Sequence, residues 1–155
     1  DYTSQLASLP VGTLAEVEGA YGAFSYTIHP NRDQIWIAGG IGIAPFLSMI
    51  KDLPNSGYRI YLFYTVSTQS EIVNWPLLYS ELSSKTDVLR IIPFITSEQG
   101  GRLTVDYIVR ACGGDIQERD FYICGPDSMT YDLKKQLKNY GIPATAIHSE
   151  VFTMS

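Results

Sequence analysis

The chain has 155 residues, 45% of them hydrophobic and 17% charged, which is enough for one folded domain burying about 68–70% of its unfolded surface. A net charge of −5 and the lack of any basic run exclude a nucleic-acid-binding surface. Cys112 and Cys124 lack paired spacing, and His29 and His148 lie far apart in sequence, so neither a disulfide framework nor a four-ligand zinc site is expected.

The opening "DYTSQLASLP" has neither an apolar signal core nor an initiator Met, so a longer parent and no signal peptide are expected, while the lack of a disulfide framework fits a reducing, cytosolic setting. "GTLAEVEGAYGAFSY" alternates between glycines and reads as two antiparallel strands, with "TIHPNR" as a linker. Residues 1–30 are therefore set apart as the tail of a preceding β domain, and 31–155 as a second domain.

From Ile35 the pattern changes. "QIWIAG" is a continuous apolar run, as in a parallel strand buried on both faces. The uncharged "IWIAGGIGIAPFLSMI" is too short and too broken by glycines for a membrane span. It reads instead as strand, glycine turn and helix, with Pro45 in the first helical turn. "RIYLFYTV" is a second strand, followed by a helical "EIVNWPLLYSELSS" in which Pro76 marks a start. "DVLRIIPFIT" is a third strand and "GRLTVDYIVRACG" a loop and helix ending at Gly113 and Gly114. "RDFYICGP" is a fourth strand, and "DSMTYDLKKQLKNYG" a helix capped by Asp127 or Ser128 and stopped by Gly141. "ATAIHSEVF" is the fifth strand. Strands alternating with helices imply parallel βαβ units and an α/β, doubly wound, three-layer fold.

Two turns sit where open α/β sheets bind ligands, at the carboxyl ends of strands. In Gly40-Ile41-Gly42-Ile43-Ala44-Pro45, missing Cβ atoms and free helix N–H groups suit a diphosphate. Pro45 stands where the strict dinucleotide fingerprint has its third glycine, and no acid follows the second strand until Glu71, so a merely tight turn stays open. "CGPDSM" is the second turn, in which Cys124 reads equally as a small buried hydrophobe.

Together these turns resemble the nicotinamide-nucleotide domain of the ferredoxin–NADP reductase superfamily. "GTLAEVEGAYGAF" is similar to the end of its flavin domain, with Ala20 where proline is usual, and "HSEVFTM" to its closing acid and aromatic. "DYTSQL", "WIAGGIGIAPFL", "GRLT" and "HSEVFTM" look closest to bacterial predicted ferric reductases, whose parents carry a membrane haem domain.

The resemblance implies a five-stranded parallel sheet of order 3-2-1-4-5 that binds NAD(P)H and works with FAD held mainly by an upstream flavin domain. Gly40, Gly42 and Pro45, with Gly39, Ile41 and Ala44 around them, are expected to hold the diphosphate. Thr65, Ser67 and Thr68 are expected at the adenosine ribose. Cys124, Gly125, Pro126 and Met129 are expected at the nicotinamide, with Glu150 tuning proton traffic and Phe152 covering the flavin. Where the superfamily often carries an arginine for a 2′-phosphate, Ser67 and Thr68 stand instead, and Arg90 and Arg102 are the candidates to substitute for it, which leaves NADH against NADPH open. The superfamily's flavin-binding arginine-x-tyrosine-serine segment has no counterpart, so the expected function is one module of a flavin-dependent oxidoreductase acting on an acceptor such as ferric iron. The chain alone is expected to be soluble and inactive, its parent at the cytoplasmic face of a membrane. The alternatives are a nucleotide-binding regulatory module without hydride transfer, or a module of a soluble flavin or ferredoxin reductase.

Overall fold

The computed structural model describes residues 5–6, 8–16, 18, 22–72 and 85–151, apart from the side chain of Val151. Five parallel strands form one sheet: β1 (Asp33–Gly39), β2 (Arg59–Val66), β3 (Leu89–Ile95), β4 (Asp120–Gly125) and β5 (Ile147–Val151). Their order is β3-β2-β1-β4-β5, as expected. Among the described residues the α-helices are α1 (Ala44–Asp52), the single turn α2 (Thr96–Gln99), α3 (Val105–Ala111) and α4 (Asp127–Asn139).

Strand alternation divides the core. Trp36 and Ala38 of β1, with Tyr122 and Cys124 of β4, pack on one face beneath Phe46, Met49 and Ile50 of α1. Ile35, Ile37, Phe121 and Ile123 face the other way, against Val105 and Ile108 of α3 and Leu133 and Leu137 of α4. A sheet covered on both sides cannot show the polar alternation of a half-solvated one, which is why these strands read as continuous apolar runs. Pro93 lies within β3, an edge strand, where a missing N–H disturbs least.

Three readings of local structure change. No described residue before Asp33 belongs to a strand. Instead Phe24 and Tyr26 dock on the α1 face, and the Tyr26 hydroxyl donates to the Asp52 carbonyl at 3.1 Å. The buried Gln34 holds this approach in place: its Nε2 donates to the carbonyls of Tyr26 and Asn31, and its Oε1 accepts from Trp36 Nε1 at 2.8 Å. Second, α4 has no side-chain cap; Pro126 is the capping position, and its carbonyl accepts from Thr130 N–H. Pro126 fixes an extended backbone there, so Asp127 is already helical. Third, Ala144–Ala146 forms a 3-10 turn, so β5 begins only at Ile147. The helix start read at Pro76 and the aromatic Phe152 lie outside the described residues.

Candidate functional site

The two glycine turns face each other across β1 and β4 and are fitted together at the backbone. A Cβ on Gly39 would lie 2.7 Å from Met129 Sδ and 2.9 Å from Pro126 Cδ. One on Gly125 would lie 2.6 Å from Met129 Cε, and one on Gly42 would overlap the Cys124 carbonyl. These three glycines therefore let one turn seat against the other. Gly40 is different: its φ of +53° favours glycine, and a Cβ there would meet nothing within 4 Å. It opens a 3-10 turn, Gly40–Ile43, that runs directly into α1; the Ala44 N–H is taken by the Ile41 carbonyl and Pro45 has none, so the donors at this helix start without an intrahelical acceptor are the first N–H groups of the turn itself.

A cleft of about 300 Å³ opens beside Gly40 at the carboxyl ends of the strands. It is bordered by Gly39 and Gly40 from the first turn, and by Pro126, Ser128 and Met129 from the second. Thr65, Ser67 and Glu71 close the β2 side, and Arg102 the far side. The space beside Gly40, helix N–H groups and the nearby guanidinium suit a diphosphate, so the residues fit a dinucleotide.

The structure gathers Gly39, Gly40, Thr65, Ser67, Arg102, Pro126 and Met129 around this cleft and leaves the other expected residues off its wall. Gly42 is buried against β4, so its missing Cβ serves protein packing rather than ligand approach. Ile41 projects outward, 67% exposed, and Ala44, Pro45, Thr68 and Gly125 stand behind the lining or beside it. Arg102 is also engaged, its Nη1 lying 3.2 Å from Asp132 Oδ2.

Glu71 is the wall residue that sequence spacing passed over. Its Oε2 accepts from the Ser67 N–H at 3.0 Å and its Oε1 from the Thr68 hydroxyl at 3.3 Å. That folds the post-β2 loop back on itself and brings a carboxylate to the cleft. The signal was present as the first acid after β2, farther along than the usual spacing because Ser67–Ser70 turns before it.

Cys124 is fully buried on the α1 face, level with Glu150 of β5. Burial, with the Glu150 carboxylate adding to it, pushes the thiol from 9.0 up to about 11. The group stays protonated near neutrality and is unsuited to nucleophilic work. Glu150 itself borders a second cleft, of about 370 Å³, with Ala23, Phe24, His29, His148 and Ser149. Two of the three residues expected at the chemical step are thus adjacent; Phe152 is beyond the described residues.

Residues 36–135 match the family described as the oxidoreductase NAD-binding domain. The chain is 26% identical over 149 residues to a flavohemoprotein of Xylella fastidiosa, covering 92% of this chain and 37% of that protein. It is 31% identical over 134 residues to the 2-halobenzoate 1,2-dioxygenase electron transfer component of Burkholderia cepacia, covering 77% of this chain and 37% of the relative. The chain therefore spans well under half the length of these curated relatives. Among solved structures it shares the fold of the cytochrome b5 reductase domain of Ulva prolifera nitrate reductase, with a TM-score of 0.80 and 23% identity over 97% of this chain and 64% of that one. Among the described residues no helix is long and apolar enough to cross a membrane. The chain belongs to the oxidoreductase NAD-binding domain family.

Proposed function

We propose that this chain holds NAD(P)H so that a hydride passes to FAD on an adjoining flavin domain, with electrons going on to an acceptor such as ferric iron. The observation that carries the reading is the cleft itself, where an open glycine turn, a helix start and a second strand-to-helix turn converge at the carboxyl ends of β1, β2 and β4. The nicotinamide supplies the hydride when bound. The chain's own residues bind and orient: the backbone around Gly40 takes the diphosphate, Arg102 offsets its charge, and Thr65 and Ser67 face the adenosine ribose. Cys124, buried and protonated, acts as a positioning residue that sets the β4 turn. Glu150, paired across from it on β5, is assigned to the flavin side of the step. Residues 1–30 serve as the end of the flavin domain and the linker. The ferric-reductase branch and a membrane-anchored parent with a haem domain rest on the sequence resemblance above. A purely regulatory nucleotide module would have no use for Cys124 beside Glu150.

Coenzyme preference follows from charge. We assign Glu71, on the β2 side of the cleft, to the ribose 2′-hydroxyl, for which its carboxylate is an acceptor and against whose phosphorylated form its charge acts. NADH is therefore the favoured coenzyme. Calorimetry with both nucleotides tests this: NADH should bind at least tenfold tighter, about 1.4 kcal/mol, and Glu71→Gln should narrow the gap. Equal affinities unaffected by Glu71→Gln would refute the assignment, and binding of neither would refute the cleft.

A further inference from the structure

His29 and His148, the only two histidines of the chain, are 119 positions apart in sequence (148 − 29), yet their rings stack with centroids 3.8 Å apart. His148 Nε2 lies 3.3 Å from Asp120 Oδ2. One ligand atom from each of His29, Asp120 and His148 can be chosen such that all lie within 4.8 Å of one another. We propose that these three side chains form a binding site for a divalent transition-metal ion of the zinc type, separate from the nucleotide cleft.

Several features support a built site over a chance meeting. Nitrogen and oxygen ligands at roughly 2.0–2.1 Å from a tetrahedral ion stand about 3.3–3.4 Å apart, and the His148–Asp120 separation matches that already. The three ligand atoms already lie within 4.8 Å of one another, and His29, on the 27–32 segment, has to swing out of its stack on His148 for both ring nitrogens to point at one ion. The carboxylate is oriented from behind: Asn31 Nδ2 donates to Asp120 Oδ1 at 3.2 Å, leaving Oδ2 directed at His148. Asn31 is itself fixed, donating to the Glu118 carbonyl at 2.7 Å and accepting from the Asp33 N–H at 3.0 Å. Such hydrogen bonds to a ligating carboxylate are the usual outer support of a metal site. Finally, both histidines border the second cleft, beside Ser149 and Glu150, which gives the ion an approach and leaves its fourth position open to water or an anion. Imidazole and carboxylate suit zinc, cobalt or copper better than magnesium or calcium. Occupied, the site clips the linker to β4 and β5.

The test is titration of the intact chain with zinc and cobalt chlorides. One ion per chain should bind with micromolar or tighter affinity, cobalt should show the ligand-field bands of a four-coordinate site, and both histidine ring NMR signals should shift in step with binding. His29→Ala and His148→Ala should each weaken zinc at least tenfold, Asn31→Ala less, and Glu98→Gln, on a remote turn, not at all. Absence of one-to-one binding at 100 times micromolar zinc, or full affinity retained by the double histidine variant, would overturn the site. Should a variant fail to fold, the ring signals of the unmodified chain decide: if neither shifts on saturation, the proposal fails.

Discussion

Cys124 occupies the last core position of β4 before the turn, and its burial decides what it can do. The raised thiol predicts slow alkylation by iodoacetamide in the folded chain near neutrality, and rapid alkylation once urea unfolds it. Fast labelling of Cys124 in the native state would contradict the packing described. Cys112, buried against α3 and α4, is pushed from 9.0 to about 11 in the same way, chiefly by burial. Raised folded-state values mean that the stability both thiols contribute is intact below pH 9 and declines as pH rises from there through about 11. Urea unfolding on either side of that window, compared with a Cys112→Ala, Cys124→Ala double variant, should show a steeper loss in the parent chain. The two glycines of the first turn separate by the same reasoning. Gly42→Ala forces a methyl onto the Cys124 carbonyl and should cost about 1–3 kcal/mol of stability, read from urea midpoints. Gly40→Ala costs about 1–2 kcal/mol for its left-handed backbone, and it should also weaken nucleotide binding, since its methyl points into open space beside the cleft.

Individual elements were legible where one physical signal dominated. The runs "QIWIAG" and "RDFYICGP" announce strands buried on both faces, and Pro45 announces the start of α1. The α4 start was misread because Asp127 and Ser128 are good caps in isolation, while Pro126 fixes the backbone one residue earlier. The segment before Asp33 alternates like a strand, but its described aromatics Phe24 and Tyr26 are spent on the α1 face: Phe24 meets Phe46 and Tyr122 edge-on at 5.7 Å, where no ladder partner is needed. The role of Gly42 was hidden because close approach to a ligand and close approach to another strand ask for the same missing Cβ. The two histidines could be brought together only once the chain had folded, since they come from distant segments, whereas Glu71 was visible as the first acid after β2 and bonds only to Ser67 and Thr68 beside it. One cap can be tested directly. Thr104 Oγ1 accepts from the Tyr107 N–H at 3.3 Å at the start of α3, so Thr104→Ala should cost about 1 kcal/mol and lower Tm. An unchanged melting curve would show that α3 is held by its buried face alone.

At the scale of the whole molecule, the fold brings two strand-to-helix turns to one edge of the sheet and locks them together through Gly39, Gly42 and Gly125, which leaves Gly40 facing open space. The central claim is that this edge is where the nucleotide sits. Amide NMR of the labelled chain titrated with NADH tests it most directly. The account predicts saturable shifts at Gly39, Gly40, Thr65, Ser67, Glu71, Ser128 and Met129, with little change along α3 or around His148. Saturable shifts that map away from this cleft, or none at millimolar NADH, would contradict it.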